Sequence, residues 1–191
     1  MKPCVLLFFL AFCLMTCGEA TSPISKEKLS IKAQLKELNK QHLASFSIEE
    51  LEKLELLDTI PTLSITTIKG KKLAIGKKSN KPTVLLLFAT WCPSCKAALP
   101  EIETLAKKYH TTANFVAIGR EHSQEELETW LKKYPLSLDV VADPERELYS
   151  YFADWAVPRL YVLDTTGAVA FQTYGWAGYN VDMVELALAS F

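Results

Sequence analysis

Cysteine is scarce in this chain beyond its first residues, and neither sign of charge is in excess. Of the five cysteines, only Cys92 and Cys95 follow residue 17, so each is the other's best candidate for a disulfide partner. The formal net charge of -1 provides no basic field, which argues against a nucleic acid as partner. The composition, 49% hydrophobic and 23% charged, is that of a globular chain and not of a disordered one.

Hydrophobic runs long enough to span a membrane are absent from the sequence. The longest apolar run, from Val5 to Met15, is too short to cross a bilayer. With Lys2 before it, the run is typical of a secretory signal peptide. An exported chain would keep Cys92 and Cys95 outside the reducing cytosol.

The sequence is compatible with two alternative cleavage sites for this signal peptide. Leu14-Met15-Thr16-Cys17 resembles the lipobox of bacterial lipoproteins, in which the cysteine is lipidated and becomes the N-terminus. Cleavage after Ala20 would instead release a soluble exported protein, because Gly18 and Ala20 place small side chains at the required spacing. We favour the first alternative, with Cys17 as a lipid anchor on the periplasmic side of a bacterial membrane.

Residues 18–60 are predicted to form a helical tether or extension between the signal peptide, residues 1–17, and one domain over residues 61–191. Apolar side chains recur at helical spacing from about Ser25 to Thr59. They are Leu35, Leu38, His42 and Phe46, then Leu51, Leu54 and Leu57 after a capping box at Ser47 and Glu50. We interpret His42 as a packing residue, because no second metal ligand stands one helical turn away. The sequence leaves open whether this segment is a spacer, a layer on the domain or a partner surface.

Strands and helices alternate from Leu63 onwards. Short runs around Lys69-Gly70 predict a hairpin, and apolar runs of strand length predict strands that are buried on both faces. Predicted strands cover Leu63–Ile68, Lys71–Ile75, Val84–Phe88, Phe115–Ile118, Leu138–Val141, Leu160–Leu163 and Val169–Thr173. Predicted helices begin near Ser94, after a capping box at Ser123 and Glu126, at Asp143 and near Val181. This order implies a central mixed sheet with helices on both faces.

The pattern that carries chemistry is Trp91-Cys92-Pro93-Ser94-Cys95, directly after the predicted strand Val84–Phe88. Two thiols two residues apart, where a strand passes into a helix, can close a small disulfide ring and reopen it. That arrangement favours reversible redox chemistry. The alternatives are an inert structural disulfide and a zinc site, but the sequence offers no second pair of ligands for zinc.

Val84 through Cys95, together with Pro100 and Val157-Pro158, resemble the thioredoxin fold. The resemblance is closest to the exported, membrane-tethered thiol-disulfide oxidoreductases of the TlpA, ResA and CcmG type, and it extends over Leu63–Ala189. It implies an α/β fold with a central mixed sheet flanked by helices, an inserted strand-helix unit near residues 137–152 and an N-terminal helical extension. It also implies that Pro158 is cis.

The resemblance assigns roles to the two thiols. Cys92 would be the exposed attacking nucleophile, since a helix N-terminus favours its thiolate, and Cys95 would be the resolving thiol. The implied substrate groove consists of Trp91, Pro93, Ser94, Val157 and Pro158. The expected redox centre is the Cys92–Cys95 disulfide itself, without an organic cofactor or metal. The expected partners are exported proteins with disulfides, which the protein would reduce, and a membrane electron donor.

Two positions depart from the family's pattern. Many tethered relatives carry a Glu where this chain has Ala98, and thioredoxin has a buried Asp where it has Leu86. Both changes remove a carboxylate that could move protons to or from Cys95. Glu101 is close in sequence, but we predict that it points to solvent from the kinked helix.

Two basic residues near the motif have competing interpretations. Arg159 is either a cation beside the substrate groove or a surface residue. His122 follows a strand at the sheet edge where ligands gather and could carry protons, but we predict an ordinary histidine of a surface loop.

Other functions are compatible with the same residues. A disulfide oxidase or isomerase of this fold would differ in the reduction potential of its cysteine pair. A copper-binding module would use the thiolates as soft ligands, although copper-handling relatives usually add a histidine and a wider cysteine spacing. A peroxidase is disfavoured, because the strand leads into a pair of cysteines and not into a single one.

Overall fold

The computed structural model describes residues 23–43, 58–77 and 79–191. Over these residues the chain forms seven strands and five helices. The strands are β1 Leu63–Thr66, β2 Lys72–Ile75, β3 Thr83–Phe88, β4 Asn114–Arg120, β5 Asp139–Asp143, β6 Arg159–Leu163 and β7 Val169–Tyr174. The helices are α1 Pro23–Leu43, α2 Pro93–Tyr109, α3 Gln124–Lys133, α4 Tyr149–Phe152 and α5 Asn180–Ala189.

Five strands form the central sheet, in the order β5-β4-β3-β6-β7. β4 pairs parallel with β3 and with β5, whereas β6 pairs antiparallel with β3 and with β7. β1 and β2 form a separate antiparallel hairpin. The predicted mixed sheet is confirmed, and β5 with α4 provides the inserted strand-helix unit.

β3 lies at the centre of the sheet, and all six of its residues are buried. Val84, Leu86 and Phe88 belong to one apolar cluster, and Leu85 and Leu87 to another, because successive side chains of a strand point to opposite faces. The first cluster is completed by residues of α1, α2, α3 and α5, the second by the β1–β2 hairpin and α4. Both faces of β3 are therefore covered, which explains its unbroken apolar run.

The predicted N-terminal helical segment does not extend as far as Thr59. The described part of this segment is α1 Pro23–Leu43, and the prediction of a helix up to Thr59 is wrong at its end, because Thr59 forms an isolated bridge with Ala168 in the β6–β7 turn. The next residue, Ile60, is buried and donates its backbone N–H to the carbonyl of Gly167 at 2.8 Å. The chain therefore enters the domain in an extended conformation.

Several predictions concern parts of the chain outside the described residues. These are the signal peptide with Cys17, cleavage after Ala20, the apolar stripe and capping box between Phe46 and Leu57, and the side chain of His42. The division of the chain at residue 60 also stays a prediction. Among the described residues, no helix is both long and apolar enough to cross a membrane.

The short helix predicted at Asp143 begins six residues later, at Tyr149. Arg146 has a φ of 59°, in the left-handed region, which interrupts a right-handed helix. The Asp143 carboxylate still accepts the backbone N–H groups of Leu148 at 3.1 Å and Tyr149 at 2.7 Å. It therefore caps α4 from outside the helix.

The capping box predicted for α3 is confirmed. The backbone N–H of Glu126 donates to the Ser123 hydroxyl at 3.2 Å, and the backbone N–H of Ser123 donates to the Glu126 carboxylate at 2.7 Å. These reciprocal bonds fix the start of α3 beside the loop that follows β4.

Candidate active site around Cys92 and Cys95

The cysteine pair lies where β3 ends and α2 begins. Cys92 is the N-cap residue of α2, in extended conformation with φ -83° and ψ 117°. Its Sγ accepts the backbone N–H of Cys95 at 3.2 Å, in the place where a Ser or Asp oxygen usually caps a helix. Pro93 occupies the first helical position, where its missing N–H costs nothing. The sulfur of Cys92 therefore lies at the N-terminus of α2, where backbone N–H groups have no partner within the helix.

Cys92 is less exposed than the sequence suggested. Only 5% of the residue is accessible, so the expectation of an exposed thiol is wrong. The cause is a neighbouring loop: the Cys92 thiol donates a hydrogen bond to the carbonyl of Val157 at 3.5 Å. Cys95 is buried completely, so Cys92 remains the more accessible of the two thiols. Trp91, 57% exposed, stands directly before it in the chain.

Both cysteines are free thiols in the structure, and Cys95 is difficult to ionise. Burial, together with a hydrogen bond and electrostatic interaction with Cys92, raises the pKa of the Cys95 thiol well above its usual range. Hydrogen bonds from the backbone at Ala89 and Cys95 lower it again by a smaller amount. At neutral pH Cys95 therefore holds its proton.

The Val157–Pro158 peptide bond is cis, as the family resemblance implied. The residue before it, Ala156, has a φ of 64°. The carbonyl of Pro158 accepts the backbone N–H of Gly175 at 2.9 Å, which ties this loop to the end of β7. The loop thereby presents the Val157 carbonyl to Cys92.

The two positions at which the family pattern would have a carboxylate hold apolar residues that solvent does not reach. Leu86 and Ala98 are both fully buried. Glu101 does not point freely to solvent, contrary to the prediction, because its carboxylate accepts the indole N–H of Trp176 at 3.1 Å. Glu101 therefore positions the loop after β7 and is not directed at the thiols by any contact in the structure.

Arg159 is not a surface residue. It is 3% exposed, its guanidinium carbon lies 4.7 Å from the centre of the Tyr174 ring, and it donates to the carbonyl of Trp155 at 3.5 Å. Trp155, 42% exposed, also packs against Tyr174 with 5.6 Å between ring centres. The cation thus supports an aromatic surface next to the cis-proline loop.

His122 is also buried, with 7% of the residue exposed, so the prediction of a surface-loop histidine is wrong. Its Nε2 lies 3.0 Å from the backbone nitrogen of Thr90 and 3.2 Å from the Thr90 hydroxyl. Burial lowers the pKa of His122. The sequence places His122 at the correct edge of the sheet, but its partner Thr90 carries no recognisable sequence signal of its own.

Comparison with known proteins gives relatives that include thiol-disulfide oxidoreductases. The thioredoxin-like protein YneN of Bacillus subtilis is 26% identical over 112 residues, which cover 57% of this chain and 65% of YneN. ResA of Bacillus cereus, a thiol-disulfide oxidoreductase, is 22% identical over 125 residues, which cover 65% of this chain and 72% of ResA. The chain thus spans slightly less than two thirds of YneN and somewhat more of ResA.

The fold is shared with solved structures. A thiol:disulfide interchange protein of the thioredoxin family from Chlorobium tepidum superposes with a TM-score of 0.59 at 21% identity, over 72% of this chain and 99% of that one. The fold and the site together define a thioredoxin-fold protein with a Cys-x-x-Cys dithiol at the start of a helix. Residues 56–172 match the AhpC/TSA family, and the chain belongs to that family. The resemblance to ResA-type thiol-disulfide oxidoreductases is confirmed.

Proposed function

We propose that this protein is an exported thiol-disulfide oxidoreductase that reduces disulfides of other extracytoplasmic proteins through Cys92 and Cys95. The observation that carries the proposal is the difference between the two thiols. Cys92 caps a helix with its sulfur and keeps some accessible surface, whereas Cys95 is closed off and holds its proton. This difference supports Cys92 as the attacking thiol and Cys95 as the resolving thiol.

The reaction has two exchanges. In the first, the Cys92 thiolate forms a bond to one sulfur of a substrate disulfide, the substrate S–S bond breaks, and the other substrate sulfur leaves as a thiolate and takes up a proton. In the second, Cys95 gives up its proton and its sulfur attacks Cys92 Sγ, the bond between Cys92 and the substrate breaks, and the substrate's second sulfur leaves as a thiolate and takes up a proton. Two electrons pass to the substrate, and the resulting Cys92–Cys95 disulfide is reduced again by a membrane electron donor.

The groove assigned to the substrate runs past both sides of Cys92. Trp91 provides an exposed flat wall, and Pro93 and Ser94 are exposed in the first turn of α2. On the other side stand Val157 and Pro158, with the Val157 carbonyl already in contact with Cys92. An approaching substrate backbone that pairs with Val157 would bring its sulfur toward Cys92 and take over this contact.

Export and anchoring rest on the N-terminal sequence. We assign Cys17 as the lipid attachment site because it follows Leu14, Met15 and Thr16 after an apolar run. Substitution Cys17→Ser should move the protein from the membrane fraction to the soluble periplasmic fraction of a bacterial host. Retention of the variant in the membrane fraction would count against the anchor but not against the redox chemistry.

Trapping tests the assignment of the two thiols. With Cys95→Ser, Cys92 should accumulate a mixed disulfide with a disulfide-containing peptide, visible as the mass of one peptide half on the fragment that contains Cys92, because the resolving thiol is absent. The matched variant Cys92→Ser should accumulate no adduct on Cys95, since Cys95 is buried and protonated. A stable adduct on Cys95 in the Cys92→Ser chain would reverse the assigned roles.

The equilibrium reduction potential of the pair decides the direction of electron flow. A value near or below about -270 mV supports a reductase, and a value of about -120 to -180 mV supports an oxidase or isomerase. Titration of the wild-type chain against glutathione or dithiothreitol gives this value. A pair that does not cycle at all would remove the enzymatic proposal.

A further inference from the structure

His122 reaches the loop that precedes the attacking thiol. β4 ends at Arg120, and Glu121 then adopts a φ of 59°, which turns the chain sharply and directs the buried His122 toward Thr90. Thr90 stands within the turn that leads to Cys92, in which the backbone N–H of Cys92 donates to the carbonyl of Ala89 at 3.2 Å. His122 thus holds a peptide group two residues before the sulfur that the proposed function makes the nucleophile.

The contact requires one protonation state of the imidazole. A backbone N–H can only donate, so Nε2 of His122 must accept from Thr90 and carries no proton. The proton of the neutral ring is therefore on Nδ1, which faces the carboxylate of Glu126 at 4.0 Å. A protonated ring would present a donor to the Thr90 N–H, and the two donors would repel each other.

Charged groups around the ring do not outweigh its burial. Glu126 from the first turn of α3 and Glu121 from the preceding loop face His122 and raise its pKa, but burial lowers the pKa by more. Glu125 and Lys133 of α3 line the same surface cavity as His122. One is acidic and the other is basic. The Thr90 loop contributes a hydroxyl and a backbone N–H but no charge. The ring is therefore neutral at neutral pH.

We propose that His122 is a positioning residue whose neutral imidazole holds the Thr90 peptide and so fixes the turn that carries Cys92. Protonation of His122 in acid removes the acceptor, releases the turn and slows attack by Cys92. The inference rests on the proposed thiol-disulfide exchange, because it assigns a consequence to the position of Cys92. It gives His122 a role distinct from proton transfer, since the imidazole contacts the backbone and not a sulfur.

The test compares rates of disulfide reduction by the full, reduced chain from about pH 8 to about pH 4.5, the range in which a histidine titrates. His122→Gln retains an acceptor for the Thr90 N–H but does not titrate. His122→Leu removes the acceptor, and His110→Gln is the matched control, because His110 is exposed at the end of α2. Division of each rate by the His122→Gln rate removes the titration of the thiols that all variants share.

We expect the wild-type rate to equal the His122→Gln rate near neutral pH and to fall about tenfold below it in acid, which is the loss expected for one buried backbone N–H without an acceptor. His122→Leu should be about tenfold slower at every pH. His110→Gln should follow the wild type. Wild-type and His122→Gln rates that stay equal throughout the titration of His122 would overturn the proposal.

Nuclear magnetic resonance of the wild-type chain gives a second readout that does not depend on activity or on any variant. The ¹⁵N shifts of His122 should show an unprotonated Nε2 at neutral pH, and the Thr90 amide proton should shift with the same midpoint as the His122 ring. A Thr90 amide that does not respond would overturn the positioning role. Absence of disulfide reduction at any pH, with a responsive Thr90 amide, would instead remove the proposed function and leave the contact standing.

Discussion

At the scale of single residues, the two thiols of the motif differ because of what surrounds them. The sulfur of Cys92 lies at the N-terminus of α2, between the backbone N–H of Cys95 and the carbonyl of Val157. Cys95 is one turn further into the helix and is completely buried. Leu86 and Ala98, at the two positions where the family pattern led us to look for a carboxylate, are buried and apolar and provide no base for Cys95.

The ionisation of Cys95 provides the prediction at this scale. Because burial and Cys92 raise the pKa of Cys95 above its ordinary 9.0, its thiol should stay protonated in the reduced chain from about pH 6 to about pH 9. The ¹³Cβ shift of Cys95 should therefore not change over this range. The resolving step then depends on base and accelerates with rising pH. A midpoint below about pH 8 would show that another group stabilises the thiolate.

At the scale of elements, the β6–β7 turn is joined to the segment that precedes β1. Gly167 in this turn has a φ of 84°, and a Cβ on it would lie 2.4 Å from the backbone nitrogen of Lys77 and 2.6 Å from the carbonyl oxygen of Ile60. The same carbonyl of Ile60 accepts the backbone N–H of Lys77 at 3.0 Å. The hairpin therefore closes against another chain segment, and glycine is required both for its conformation and for its size.

A matched pair of substitutions separates these two requirements. Gly70 in the β1–β2 turn has a similar φ of 78°, but no atom stands near its missing Cβ. Gly70→Ala should cost about 1 kcal/mol of unfolding free energy from conformation alone. Gly167→Ala should cost roughly 3 kcal/mol or more, because backbone atoms must also move. Urea denaturation of the two variants measures the difference, and equal losses would mean that the turn is not packed as described.

At the scale of the whole molecule, α1 is part of the domain's packing. It lies against β7 and α5, and its Leu35, 2% exposed, belongs to the same apolar cluster as the centre of β3. Of the alternatives that the sequence left open, a layer on the domain fits this packing for residues 23–43. A free spacer would have no reason to bury Leu35.

Replacing single leucine side chains by alanine tests whether α1 packs against the rest of the domain. Leu35→Ala should lower the unfolding free energy by about 2 to 4 kcal/mol, because it opens a cavity in the core. Leu29→Ala, on the same helix but 70% exposed, should change it by less than about 0.5 kcal/mol. Both variants are compared with the wild type in urea denaturation followed by circular dichroism. Small losses for both would mean that α1 does not pack on the sheet in solution.

Prediction from sequence succeeded where the signal is local. The apolar runs located β3 and β4, and Ser123 with Glu126 located the start of α3, because these signals depend on neighbouring residues. The helix predicted at Asp143 was misplaced although its carboxylate does cap one. Arg146 has a left-handed backbone conformation that interrupts the helix, and no residue type in that segment predicts such a conformation.

The sequence by itself determined the alternation of strands and helices, the buried character of β3 and the position of two thiols at the start of α2. Those features follow from hydrophobic period, capping residues and spacing within a few positions of the chain. Only the tertiary structure decided that Cys92 lies under Val157, that Glu101 binds Trp176 and that His122 holds Thr90. The partners in the last two contacts are 75 and 32 residues apart. They meet because the segments that carry them leave the same edge of one sheet. Which strands share that edge depends on how the whole sheet assembles, and local sequence patterns do not predict it.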